Sequence, residues 1–310
     1  MSDDIGFWAV AGLLVAVGVL AFAAAMLDSV MGAAAMGRAR PAGAMLDPVR
    51  ETARLLVQQR AVVPASDSVL RLIGTGGIVV AAALAALVVP IGARPVADLD
   101  IGVIWFNAME VLVWAALWLI GWGSNAPFAL VGGYRFIAQG LAYELPHMFA
   151  LITAALGAGS LRVGDVVDAQ AGLWFVVWMP VAFAVYLLSA LAMAFWGPLA
   201  QPVDDDLAGG AVSELAGPDR LVFLAGRYAL LAVTAAFAVP LFLGGGAGPW
   251  LPDWVWTPLK TAAVLGVLVW ARWRLPAVRM DRFLEIAWMV LIPAVLLQAL
   301  VVGIVVVVRG

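Results

Sequence analysis

Eight apolar runs, near residues 5–27, 69–91, 101–120, 134–157, 171–196, 221–243, 255–271 and 283–308, constrain this chain more than any other feature. Wound as a helix, a run of about 20 residues matches the ~30 Å hydrocarbon core of a bilayer. The runs are continuous rather than alternating, so they specify helices and not barrel strands. Composition agrees, because 65% of the 310 residues are hydrophobic and only 12% are charged. A water-soluble domain cannot hide that much apolar surface. The expectation is an all-α polytopic membrane protein, one integral domain over 1–310 with about eight transmembrane helices.

The N-terminal stretch MSDDIGFWAVAGLLVAVGVLAFAAA spaces Ala21, Ala23 and Ala25 like a leader cleavage site. It carries Asp3 and Asp4 where a leader would be basic, and its apolar run continues to Leu27, so a retained first helix is expected.

The basic residues orient the spans. Arg38, Arg40, Arg50, Arg54, Arg60 and Arg71 lie between spans 1 and 2. With Arg135, Arg220, Arg227, Arg272, Arg274, Arg279 and Arg282 they place 13 of the 17 Lys and Arg residues on one side. Arg94, Arg162, Lys260 and Arg309 fall on the other. That bias makes the first side cytoplasmic and puts both termini outside the cytoplasm, in a multi-pass protein of the bacterial inner membrane. The first cytoplasmic loop holds a helix of its own over 45–60. Asp47 is its expected N-cap and Pro48 its first residue. Leu46, Val49, Ala53, Leu56 and Val57 share one face, Arg50, Glu51, Arg54 and Gln58 the other, as in a helix lying along the interface.

Several classes are excluded. The absence of cysteine rules out disulfides, thiolate-bound zinc and an iron-sulfur cluster ligated by this chain. A single histidine without cysteine argues against a tetrahedral zinc site, and neither metal nor flavin is expected in this chain. GTGG (74–77) and GGGAG (244–248) lie at span ends, without the strand-turn-helix setting of a dinucleotide fingerprint. A formal charge of −3, with basic residues at the ends of apolar runs, argues against nucleic acid.

Ionisable groups at membrane depth are costly, about 3 kcal/mol each on insertion scales, and invite a functional explanation. In YRFIAQGLAYELPH (134–147), Gln139, Tyr143 and His147 form a stripe at four-residue spacing, with Glu144 about 60° round the helix from His147. Pro146 frees the carbonyl of Ala142 and permits a kink. An acid and an imidazole so placed can exchange a proton, which suits a relay; an internal pair that locks two helices together is the alternative. Glu110, near the middle of its span and three residues after Asn107, has nothing on its own helix to neutralise it. Its partner comes from another helix, with His147 the obvious candidate, or from water, and the alternative is a lone acid held protonated by burial. The cytoplasmic loop 197–220 is acidic and irregular, with Asp204, Asp205, Asp206, Glu214 and Asp219. It lacks the spacing of a calcium loop and reads either as a solvated acidic loop or as an acidic mouth leading to Glu144.

GWGSNAPFALVGGYRFIAQGLAYELP (121–146), MLDPVRETARLLVQQR (45–60), the loop from Pro198 to Gly217 and the segment from Leu259 to Pro293 resemble the H-subunit family of NADH-quinone oxidoreductase, the subunit 1 family of respiratory complex I. That family includes a membrane subunit of energy-converting hydrogenases. The resemblance implies eight spans with both termini outside and a membrane-arm subunit without a complete active site of its own. It further implies contact with other membrane-arm subunits and with iron-sulfur peripheral-arm subunits, part of a quinone chamber at their interface, and coupling of electron transfer to proton translocation. Glu144 looks like the family's acid in span 4. Asp205, Asp206 and Glu214 fall near acids of the chamber loop, and Glu51 and Arg54 resemble an acid and a base of the amphipathic helix. Arg272, Arg279 and Asp281 resemble the family's end motif, whereas Glu110 and His147 are additions to the family's pattern. Other roles open to such a chain are a hydrogenase-type membrane anchor, a scaffold that only docks the two arms, and an independent ion or solute carrier.

Overall fold

The computed structural model describes residues 3–61, 63–90, 95–250 and 252–309. Residue 91, where the second predicted span ends, and Arg94 lie outside them. Among the described residues no strand occurs. The helices are α1 (Asp3–Ala35), α2 (Asp47–Val57), α3 (Ser68–Ala86), α4 (Gly102–Gly123), α5 (Pro127–Ala158), the short α6 (Val163–Asp168) and α7 (Phe175–Trp178), α8 (Pro180–Met193), α9 (Gly217–Phe242), α10 (Asp253–Arg274), α11 (Met280–Ile286) and α12 (Ile292–Arg309). A π-helical turn, Ala287–Leu291, joins the last two.

Among the described residues, seven helical segments are long and apolar enough to cross a bilayer: α1, α3, α4, α5, α9, α10 and the continuous stretch from α11 into α12. The chain is an all-α polytopic membrane protein. Its centre is α9, with 72% of its most apolar window buried, against 11% for Met280–Val308 at the periphery. A helix that is apolar all round suits the centre, where every face meets protein. Phe237 of α9 stacks on Phe106 of α4 with ring centroids 3.8 Å apart.

The expected fifth span, 171–196, takes a different form. Residues 171–174 are loop, and the helical part splits into α7 and a 14-residue α8. At ~1.5 Å per residue α8 is about 21 Å long, short of the hydrocarbon thickness. Pro180 causes the split, since its ring nitrogen cannot donate to the preceding turn. Gln298 of α12 repairs the gap: its Oε1 accepts from the Ala182 N–H at 2.7 Å and its Nε2 donates to the Trp178 carbonyl at 3.1 Å. Gln170 secures the loop likewise, accepting from the N–H groups of Phe175 and Gly244 and donating to the carbonyls of Val166 and Pro240. Polar side chains replace the water that backbone groups lack at this depth.

The amphipathic segment is led in by a 3₁₀ turn, Pro41–Leu46. The N-cap is Leu46 rather than Asp47, which stands at the first helical position with Pro48 at the second. Asp47 instead binds Arg50 at 3.0 Å, so its charge serves the positive helix end without a side-chain cap bond. Leu55 is fully buried, while Leu46, Val49, Leu56 and Val57 are exposed. The predicted apolar stripe is therefore left uncovered by the described residues, and a different residue anchors the helix to the protein.

Candidate functional site

The polar interior is built between α4 and α5. Glu110 follows the buried stripe of Val103, Phe106 and Val113 on α4, and His147 follows that of Gln139 and Tyr143 on α5. His147 Nε2 lies 2.9 Å from Glu110 Oε1, with 0% and 1% of the side chains exposed. The contact is close but not aligned as a hydrogen bond, since neither carboxylate oxygen and neither ring nitrogen has an aligned partner. The imidazole also lies 5.3 Å from the ring of Tyr186, whose hydroxyl donates to the Thr234 carbonyl at 2.7 Å.

Glu144 is half-buried beside this pair, and its Oε1 accepts from Asn107 Nδ2 at 2.9 Å. Glu110 and His147 lie within its electrostatic reach. Its partner is thus the amide three residues before Glu110 on α4. Trp114 Nε1 donates to the Tyr143 hydroxyl at 2.9 Å. Gly140 makes room for that indole, for a Cβ there would stand 2.5 Å from the ring. α5 continues as one helix through Pro146.

The same face of α5 leads back to the acidic loop. Arg135, Gln139, Tyr143 and His147 recur every four residues, covering about 18 Å of helix. Gln139 Nε2 donates to the carbonyls of Ala192 and Leu199 at 2.7 and 3.0 Å. Arg135 binds Asp206 at 2.8 Å. The loop forms 3₁₀ turns over Gly197–Leu199, Gln201–Val203, Asp205–Leu207 and Gly210–Val212, and its expected tail 217–220 is already α9. Any Cβ on Gly132 would collide with the backbone of Ala211, so this contact requires glycine. Asp205 is exposed, Glu214 is half-buried, and neither side chain has an ion pair among the described residues.

A cavity of about 520 Å³ opens between α1, α2, α3 and α9. Leu14, Val17, Phe22, Leu55 and Leu224 contribute to its apolar wall, and Ser29, Glu51 and Tyr228 to its polar part. Arg54 lies behind Glu51 and donates to both its oxygens, Nε to Oε2 at 2.8 Å and Nη2 to Oε1 at 2.6 Å. That bond holds the Glu51 carboxyl below its usual range and raises Arg54 in turn. Asp205, Asp206 and Glu214 do not line this cavity.

The family profile described as NADH dehydrogenase matches residues 8–303. The chain is 34% identical over 270 residues to the NADH-quinone oxidoreductase H subunit, form 1, of Geobacter metallireducens, covering 84% of this chain and 82% of that one. It is 36% identical over 264 residues to form 2 of the same subunit from Rhodopseudomonas palustris, covering 84% and 83%. The chain belongs to the H-subunit family of NADH-quinone oxidoreductase. A third relative, form 2 from Cereibacter sphaeroides, is 42% identical over 208 residues, 66% of this chain and 65% of its own.

This member of the H-subunit family contains one cluster that local sequence patterns do not assemble. Asp28, 6% exposed near the end of α1, gathers three donors. Tyr228 Oη reaches its Oδ2 at 2.9 Å, Arg272 Nη1 the same oxygen at 2.7 Å, and Trp273 Nε1 its Oδ1 at 2.8 Å. Two cations lie against the Trp196 ring, Arg227 at 4.7 Å and Arg272 at 4.8 Å. Arg227 also donates to the Phe195 carbonyl at 2.5 Å. The sequence signals for this cluster are an acid just past the end of the first apolar run and Arg272 of the end motif. Arg279 and Asp281, the other residues of the end motif, form an exposed pair with each other instead. Among the described residues no three His, Asp or Glu side chains converge as a metal site.

Proposed function

We propose that this chain is a membrane-arm subunit of a complex I-like NADH-quinone oxidoreductase, contributing to the quinone chamber and coupling electron transfer to proton translocation. One observation carries the reading: Glu110 and His147 meet at 2.9 Å inside the bilayer region, with Glu144 and Asn107 paired beside them. Such groups are expensive at this depth and find no use in a purely apolar packing core. One proton can reside on either Glu110 or His147, and Glu144 can exchange with the pair. The stripe Arg135–Gln139–Tyr143 supplies polar steps from the acidic loop. In this reading the loop and α2 lie on the cytoplasmic side and both termini outside, in keeping with the arginine bias.

The cavity supplies the substrate half of the proposal. Its apolar wall suits an isoprenoid tail, and Glu51, Ser29 and Tyr228 bring polar groups to it. Redox centres belong to iron-sulfur partner subunits, since this chain has no cysteine.

The test is Glu144→Gln in the assembled complex in proteoliposomes, with quinone reduction and proton uptake followed together. Loss of redox-driven pumping from a complex of normal composition supports the relay. Unchanged pumping defeats it, and lower complex yield with normal pumping per complex identifies a scaffold. Iron-sulfur partners released with the chain by mild detergent would count against an independent carrier, and hydrogenase-type partners would indicate an anchor of that kind.

A further inference from the structure

Arg71 stands in the first turn of α3, beside the segment that follows α2 and the start of α9. It is 7% exposed, yet its Nε and Nη1 are buried without a hydrogen-bond partner, and among the described residues no carboxylate pairs with it. A buried guanidinium of this kind is costly unless something anionic completes it. The helix terminus beside it does not provide that group. Asp67 already accepts from the N–H groups of Val69 and Leu70, at 2.9 and 3.1 Å.

Arg71 lines a pocket of about 470 Å³ together with Arg60, Ser66, Ser68 and Asp219. The Asp219 carboxylate is engaged by Arg60 at 3.3 Å, so the two arginines leave one positive charge over. Two hydroxyls add neutral donors. On its other side the pocket is apolar: Val69 and Leu72 line it, and both are more than 60% exposed at the start of a membrane span. Ile73, half-exposed on the next position, extends that strip along α3.

We infer that this pocket binds the headgroup phosphate of an anionic phospholipid, with Arg71 and Arg60 on the phosphate and an acyl chain along Val69, Leu72 and Ile73. The charge, the hydroxyls and the lipid-level apolar strip match both ends of such a molecule. Arginine suits phosphate because its planar fork presents several donors to one oxyanion. Arg71, Ser66 and Ser68 lie outside the cavity assigned to quinone and outside the α4–α5 cluster, so the inference does not depend on the coupling role.

The experiment uses the purified complex in detergent, incubated with phosphatidylglycerol carrying a photoreactive group in its headgroup, or with phosphatidylcholine carrying the same group. Phosphatidylglycerol should label peptides spanning residues 60–72 and phosphatidylcholine should not. Arg71→Gln should lower that labelling about tenfold and Arg60→Gln, on an exposed residue that tolerates change, about fivefold. Equal labelling by both lipids, labelling only elsewhere, or unchanged labelling in the Arg60 variant would overturn the proposal. Absence of labelling in the wild-type complex would overturn it too, leaving Arg71 to a partner's carboxylate. Suppression by millimolar inorganic phosphate would show a free-anion site and overturn the lipid assignment.

Discussion

His147 Nε2 approaches Glu110 Oε1 to 2.9 Å across the α4–α5 packing, and both side chains are sealed inside the helix bundle. A proton relay and a structural lock make different demands on these atoms, so variants of the pair separate the two roles.

Removing one member should be costly, whereas replacing both should not. His147→Ala is expected to destabilise the subunit by ~3 kcal/mol, since it leaves a buried carboxylate unpaired. The double variant Glu110→Gln, His147→Gln should recover most of that stability and still fail to pump. Apparent Tm of the purified complex and proton uptake per quinone reduced are the measurements. Pumping at the wild-type ratio in the double variant would leave the pair with a locking role only.

Asp28 joins α1 to α9 and α10 through Tyr228, Arg272 and Trp273. Asp28→Ala should cost ~3 kcal/mol by stranding Arg272 and two neutral donors, and Asp28→Asn less, because the amide oxygen still accepts. Thermal unfolding of the complex checks both. Equal effects would mean that the amide oxygen recovers nothing and that the carboxylate charge carries the cluster.

Closing the cavity should discriminate between quinones by tail length. Ala25 and Ala225 both face it, and Ala225→Phe adds bulk where an isoprenoid chain would lie. KM for a long-tailed quinone should rise about tenfold, the cost of ~1.4 kcal/mol in binding, while a tail-less analogue is affected less. Parallel losses for both substrates would remove the cavity from the substrate path.

The Arg54 bond depresses the Glu51 carboxyl below its ordinary value of 4.5. A depressed folded-state value means that the pair's stabilisation is present above about pH 4.5 and fades as pH falls through the lower, folded value. Glu51 is therefore ionised throughout the neutral range. Glu51→Gln should change quinone reduction by a constant factor between about pH 6 and 8, leaving the shape of the pH profile intact. A moved acid limb would show that Glu51 takes up a proton during turnover.

Much of this molecule is written locally. Apolar runs of bilayer length locate the long helices, and the four-residue recurrence of Gln139, Tyr143 and His147 puts them on one face of α5 whatever surrounds it. The isolation of Glu110 on its own helix makes His147 the natural partner, and the structure pairs them. The amphipathic pattern likewise specifies a helix within 45–60, although the cap stands one residue earlier than expected and Leu55 is its anchor. Helical periodicity encodes which side chains share a face and nothing about which helix that face will meet. Asp28 and its partners are separated by 200 to 245 residues, and Gln298 reaches 116 residues back to the break at Pro180. Those pairings, the Asn107 bond that turns Glu144 toward α4 and the shape of the cavity follow from how the helices pack. Hydrophobic burial in lipid is non-directional, so tertiary contacts between helices decided them.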